Sequence, residues 1–373
     1  MKLLNINYEN RVYGLDVFRA VAILIVVKVH GGMIEGELFD SLPHLIRIDG
    51  VELFFVLSGF LIGGILIKTV EKESHFGWAS LTHFWKRRWF RTLPNYYLIL
   101  LINYLLIKNE IIAGSIDDFS FKFLFFFQNF EAGFVGFFWE SWSLSVEEWF
   151  YIFLPVLILG FGYIFSKKNT LLFAILLLII LPMMYRFSIS DMNVDQFWLD
   201  VNFRKVVLTR LDAINFGVLA AFSKYYYPLV FHKYRNIMFI VGVICLYANS
   251  FIPTDPNDFY SKTISFTMTS IGAALLLAKA DSIKKFKYPV IGKTVIFISL
   301  ISYSMYLVNL ALVAQVIDKN FPPETLWENA YMYVVYWVAT LVFSTLLYTF
   351  YEKPFTDLRD TFKFPNIFSK PSK

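Results

Sequence analysis

Apolar stretches long enough to cross a bilayer, about 17–25 residues each, recur along the whole chain. Short polar or charged segments separate them. Ten are read, at roughly 15–33, 50–67, 93–108, 143–165, 170–186, 208–223, 237–252, 263–279, 296–316 and 331–351. They predict an all-α polytopic membrane protein of about ten transmembrane helices. The segment 119–139 is also apolar and rich in Phe, but it contains Lys122, Gln128, Asn129, Glu131 and two Gly. It is expected at the outer surface as a re-entrant or interfacial piece. No internal repeat or Gly/Ser linker interrupts the pattern, so residues 1–373 read as a single transmembrane domain with a short polar tail after residue 356.

Composition agrees with the pattern. The chain is 57% hydrophobic and 20% aromatic, and its mean hydropathy is +0.55, whereas soluble domains hold about 45–50% apolar residues. Net charge is +5, but its distribution is more informative. With the N-terminus in the cytoplasm, 24 Lys and Arg fall on the inner side and 9 on the outer, the bias expected of inner loops. The count favours an even number of spans with both termini cytoplasmic, in a cell inner or plasma membrane. The outer loops carry Glu35, Glu37, Asp40, Asp255 and Asp258. The first apolar run lacks a small-residue cleavage site and reads as a signal anchor. Cys245 stands alone and cannot form an intrachain disulfide.

Charge inside the spans points to chemistry. The first span holds Arg19, Lys28 and His30, and a charged side chain at mid-bilayer costs about 2.5–3.5 kcal/mol on insertion scales. Arg19 and His30 are eleven residues apart, which at 100° per residue places both on one helix face, about 16 Å apart along the axis. Lys28 points about 180° away from Arg19. Glu52 opens the second span near the depth of His30, where a carboxylate could fix the tautomer of the imidazole; neutralising Lys28 or lying in the headgroups are its other readings. In the fourth span Ser143, Glu147 and Tyr151 form a polar stripe at i, i+4, i+8, expected near the depth of His30. Arg87, Arg88 and Arg91 cluster at the cytoplasmic entry to the third span. Guanidinium forks suit phosphate, although basic residues here also anchor topology and touch anionic lipid. Arg210 and Asp212 read as structural pairing, and Asn309 as a cross-helix hydrogen-bonding group. His44, His75, His83 and His232 fall in loops without metal-ligand spacing, so no metal site is expected. Nothing reads as a nucleotide-binding Gly loop, a nucleophile elbow or a nucleic-acid surface. Together the features suggest moving a small activated group from a phosphate-bearing carrier inside to an acceptor outside.

The sequence resembles the membrane-bound acyltransferase-3 family, which includes O-antigen and exopolysaccharide O-acetyltransferases. The resemblance rests on seven motifs in order: Leu15-Asp16-x-x-Arg19-Ala20 with His30 after ten further residues; Phe54 to Ile62 with Glu52 before it; Arg87-Arg88-x-x-Arg91-x-x-Pro94; Trp142 to Tyr151; Arg210 to Ile214; Ser302 to Leu307; and Glu352 to Phe355. They cover about residues 13–356. The resemblance implies an acyl-CoA co-substrate, most often acetyl-CoA, and a hydroxyl of an envelope polysaccharide or other glycan as acceptor. His30 would be the general base with Glu147 beside it in a catalytic role. Arg19, Arg87, Arg88 and Arg91 would hold the carrier's phosphates. Glu52, Ser143, Tyr151 and Asn309 would contact the acceptor or support the site. Two departures stand out: Asn309 occupies a position where the family has His, which implies a structural or acceptor-contact role, and Trp149 replaces a Gln, implying a changed acceptor shape. The chain reads as the short form without the esterase-like domain of longer members. The rival readings are a transporter or flippase, which calls for inverted repeats and broken helices that the sequence does not display, and an acyl-CoA-binding membrane protein without turnover.

Overall fold

The computed structural model describes residues 11–35, 48–252, 255–285 and 288–361. The acidic positions Glu37 and Asp40, His44 and the tail beyond 361 lie outside them. Ten long helices occupy the ten predicted stretches: α1 (Tyr13–Glu35), α2 (Gly50–Lys72), α3 (Trp78–Lys108), α4 (Ser141–Phe161), α5 (Lys167–Ser188), α6 (Val207–Tyr226), α7 (Arg235–Phe251), α8 (Ser265–Ser282), α9 (Pro289–Val308) and α10 (Leu326–Leu347). No strand occurs among the described residues. Seven helices are at once long and apolar enough to span, and an eighth is if the bent pair Gln196–Arg204 and Val207–Tyr226 counts as one crossing. Against the ten expected, α3 and α7 miss this test. The first half of α3 is basic, and α7 has 17 residues. The protein is a multi-pass membrane protein.

The apolar periodicity drives helix formation, and local polar groups set the ends. The Asp49 side chain caps α2 by accepting from the Val51 N–H at 2.9 Å, which satisfies one of the orphan donors of a first turn. Thr325 and Glu328 form a reciprocal capping box on α10. The helices differ in depth within the bundle. The most apolar window of α2 is 72% buried, and that of the span beginning with α10 only 17%, so α2 is central and α10 is peripheral.

The closest packing joins α2 to α6. A Cβ on Gly59 would lie 1.8 Å from the Ile214 carbonyl oxygen, and one on Gly217 would lie 1.9 Å from that of Val56. Lipid gives helices no hydrophobic reason to associate, so close backbone approach through small residues supplies van der Waals contact instead. Contacts advance together along both helices, from Glu52 with Arg210 to Gly63 with Val218. The two helices therefore run parallel, as alternating crossings from the second to the sixth require.

Residues 119–139 form no helix long enough to span. They hold a short 3₁₀ turn at Phe121–Phe125 followed by coil. Gln128 and Asn129 fold inward, whereas Lys122 and Glu131 stay exposed. Asn129 Nδ2 donates to the carbonyls of Trp142 at 2.9 Å and Lys205 at 2.6 Å, and the Val207 N–H donates to the Asn129 carbonyl at 2.9 Å. This loop satisfies the backbone where the chain breaks between Arg204 and Val207, at a bend of 64°. The expectation of unbroken helices is thus corrected: at membrane depth a break is tolerated where buried partners take up the freed backbone groups. A π turn at Asn309–Ala314 also interrupts the helical run Pro289–Asn320.

Candidate active site

Two cavities open against the polar face of α1. One, of about 390 Å³, is lined by Arg19, Arg88, Arg91, Ser143, Glu147 and Tyr151 among others. The other, of about 1220 Å³, is lined by His30, Asp49, Trp139, Glu140, Asp200 and Arg204 among others. Val51 and Tyr306 belong to both walls, so the two cavities abut. Helical geometry thus does what the sequence spacing predicts: one face of α1 delivers a guanidinium to one chamber and an imidazole to the next.

The arginine cavity is cationic. Asp16 takes Arg11 as its close partner and accepts from Ser299 Oγ at 2.7 Å, leaving Arg19 4.0 Å from the nearest Asp16 oxygen. Arg88 Nε is buried without a hydrogen-bond partner. Among the described residues, neither Arg88 nor Arg91 has a carboxylate within ion-pair distance. Buried charge left unsatisfied is costly, so this chamber is prepared for an anion. Arg87 does not line it. The lining face of α3 runs from Arg91 through Arg88 to Thr92, and Arg87 falls just outside this arc, about 40° beyond Arg91. Of the four arginines expected to hold phosphate, Arg19, Arg88 and Arg91 line this cavity and Arg87 does not.

In the histidine cavity, His30 Nδ1 lies 2.5 Å from Asn309 Oδ1. The Asn309 amide nitrogen donates to the carbonyls of Met305 at 2.7 Å and Tyr306 at 2.8 Å, which turns its oxygen toward the histidine. That oxygen can only accept. A neutral His30 must then carry its proton on Nδ1 and present the lone pair on Nε2. Asn309 thus fixes the orientation and tautomer of His30 through an acceptor oxygen. Asn309 stands in the π turn, a geometry that recurs at functional sites.

Glu52 is not the partner of His30, contrary to one expectation. It is buried against Arg210, and it accepts a further bond from Ser270 Oγ. The α2–α6 glycine contact brings Arg210 close enough to claim it. Asp212 likewise pairs with Arg186, at 2.6 Å, so Arg210 and Asp212 do form structural pairs, each with a different partner.

Glu147 also departs from expectation. It lines the arginine cavity and not the histidine cavity. It accepts from Ser58 Oγ at 2.8 Å and from the Tyr151 hydroxyl at 3.0 Å. Seven residues along α4 separate it from Glu140, about 10 Å of rise, and the boundary between the chambers falls within that rise. Ser143 lies 2.5 Å from the Tyr306 hydroxyl, at the boundary itself. Trp149 lines neither chamber. It donates to the Phe126 carbonyl at 2.8 Å and holds the 119–139 loop.

Several residues of the histidine cavity escaped the sequence reading. Arg204 bridges Asp49 at 2.7 Å and Asp200 at 3.0 Å, with its guanidinium 4.8 Å from the Trp142 ring centre. Lys205 pairs with Asp200 at 2.5 Å. In the sequence these residues fall in the polar segment between the fifth and sixth apolar stretches. The i, i+4 spacing of Asp200 and Arg204 beside a span was the available signal. Among the described residues no three His, Cys, Asp or Glu side chains gather to hold a metal ion.

Comparison with known proteins adds a family. A family model described as an acyltransferase domain, acyltransferase 3, matches residues 12–349. A Staphylococcus aureus protein named "Putative O-acetyltransferase SACOL0978" is 27% identical, covering 92% of this chain and 57% of that protein. "Putative peptidoglycan O-acetyltransferase YrhL" of Bacillus subtilis is 24% identical over 91% of this chain and 54% of its own length. "O-acetyltransferase OatA" of Staphylococcus aureus is 25% identical, with coverage of 91% and 56%. The chain spans about half the length of the curated relatives it matches. The chain belongs to the acyltransferase-3 family.

Proposed function

We propose that this protein is an integral-membrane O-acyltransferase. It transfers an acetyl group from cytosolic acetyl-CoA to a hydroxyl of a cell-envelope glycan, with His30 as general base. One observation carries the reading: a single face of α1 supplies Arg19 to an arginine-lined chamber and His30 to a larger mixed-charge chamber that abuts it. The excess of Lys and Arg on one side of the span scheme orients the arginine chamber toward the cytoplasm. There Arg19, Arg88 and Arg91 hold the carrier's phosphates, and its pantetheine arm points toward Tyr306 and Ser143. The relatives named as O-acetyltransferases, one of them for peptidoglycan, favour acetyl as the group and a cell-wall polymer as the acceptor.

In the transfer, Nε2 of His30 takes the proton of the acceptor hydroxyl as its oxygen attacks the thioester carbonyl. The carbon–sulfur bond breaks, and the coenzyme thiolate leaves and recovers the proton from His30. Ser143, at the boundary of the chambers, would turn its hydroxyl away from Tyr306 to donate to the oxyanion. Glu147, hydrogen-bonded to Tyr151 and Ser58, belongs to the donor side.

The test uses purified protein in vesicles with labelled acetyl-CoA and a soluble peptidoglycan fragment. His30→Ala should lower transfer about 10²–10⁴-fold, the usual worth of a general base, with unchanged amounts of protein in the membrane. Near-normal acetylation by the variant would refute the assignment.

A further inference from the structure

Seven acidic residues are buried among the described residues: Asp16, Glu52, Glu140, Glu148, Asp212, Asp281 and Glu352. Six of them receive at least one side-chain donor, from Arg11, Ser270, Thr92, Arg186, Lys224 and Ser304 in turn. Glu140 is the exception. It is 2% exposed, and neither carboxylate oxygen has a hydrogen-bond partner of ordinary geometry. The backbone N–H groups of Glu140 itself and of Ala311 are the donors that approach it. Among the described residues no cation lies within ion-pair distance of it. The residue is held in place, since its own carbonyl accepts from the Tyr306 hydroxyl at 2.8 Å. It occupies the N-cap position of α4 without a side-chain capping bond, and it lines the histidine cavity beside the exposed Trp139.

An ionised carboxylate is acceptor-only and has room for several donors. Burying one without donors costs several kcal/mol, and every other buried acid here avoids that cost within the fold. A ligand that brings hydroxyl groups into the cavity would remove it. We propose that Glu140 is the acceptor-docking carboxylate: it accepts hydrogen bonds from two hydroxyl groups of a sugar ring laid against Trp139, and so presents the ring's reacting hydroxyl to His30. The inference rests on the acyltransferase reading above and adds the acceptor's binding contact. Glu140 is a binding residue here; the proton transfer stays with His30.

The experiment compares wild type with Glu140→Gln and Glu140→Asp in vesicles. Each is titrated with a soluble peptidoglycan fragment at saturating acetyl-CoA, and with acetyl-CoA at a fixed fragment concentration. Equilibrium binding of the fragment alone is measured in parallel. Glu140→Gln keeps one acceptor oxygen, and the loss of one bond to a charged group corresponds to about a tenfold to hundredfold rise in the fragment concentration for half-saturation. Half-saturation by acetyl-CoA should stay within about twofold of wild type, as expected for a residue outside the donor chamber. Glu140→Asp, with the charge kept and the reach shortened, should fall between. Equal losses for donor and fragment, or unchanged fragment saturation, would overturn the proposal. Should wild type not turn over acetyl-CoA at all, the functional reading fails. The binding arm then decides Glu140 alone: fragment binding lost in Glu140→Gln upholds it, and equal or absent binding in both proteins overturns it.

Discussion

Two sets of charged side chains lie in this bundle, and they are settled differently. At the α2–α6 contact and next to it, Glu52 meets Arg210 and Asp212 meets Arg186, all four fully enclosed. Along the two cavities, the half-buried Arg88 and the fully buried Glu140 have no ion-pair partner among the described residues. The residue types are the same and so is the solvent. The paired set joins helices, and the unpaired set lines the two cavities. Charge within a span is therefore a weak guide to a site until its partner is known.

The comparison can be broken first at its paired side. Arg210→Ala leaves Glu52 buried without its cation, an error worth about 3–5 kcal/mol. Loss of folded protein, read by melting temperature and by abundance in the membrane, is the expected outcome. Replacing both partners, as Glu52→Gln with Arg210→Met, should recover most of it, because a pair removed together leaves no orphan charge. If Arg210→Ala melts like wild type, the pair does not hold the bundle.

Next comes the carboxylate on the unpaired side. Burial pushes Glu140, just outside α4, from 4.5 up to about 7. Its folded value exceeds the unfolded one, so the stability it permits is fully present below about pH 4.5 and is lost as pH rises through about 7. The wild type should thus lose up to about 3 kcal/mol between pH 5 and pH 8 relative to Glu140→Gln. Melting both proteins at the two pH values measures this directly, and parallel melting curves would mean the carboxylate is already satisfied.

The smallest effect sharpens the contrast. Arg91→Ala should change the melting temperature little, since it breaks no ion pair among the described residues, while raising the acetyl-CoA concentration for half-saturation about tenfold, the cost of one charge-assisted contact. A large loss of stability in this variant would move Arg91 to the structural set.

Much of this was legible in the chain. Arithmetic along one helix succeeded: it placed Arg19 and His30 on a common face, and it joined Glu147 to Tyr151 by a real hydrogen bond. The helices also lie where the apolar stretches are. Choice of partner across helices was not legible. Glu52 finds Arg210 at a separation of 158 residues, and that choice depends on how closely two glycines let the backbones approach. Asn309 was noticed as a departure, but its use as a fixed acceptor for His30 depends on the carbonyls of Met305 and Tyr306, which a one-dimensional pattern does not reveal. Asp200 and Arg204 were missed because a bent crossing and its polar turn resemble an ordinary loop until Asn129 is seen bracing the bend.

The parallel α2–α6 contact also constrains the order in which the chain can be built. Glu52 emerges from the ribosome long before Arg210, and until the sixth helix arrives the acid has neither its cation nor the backbone groove that Gly217 provides. A nascent chain halted before residue 210 therefore holds its central helix in an unfinished state, with the carboxylate protonated or kept at the headgroups. Synthesis of α6 is the moment at which α2 can settle to its final depth, and the two chambers on α1 acquire their shared wall only after that.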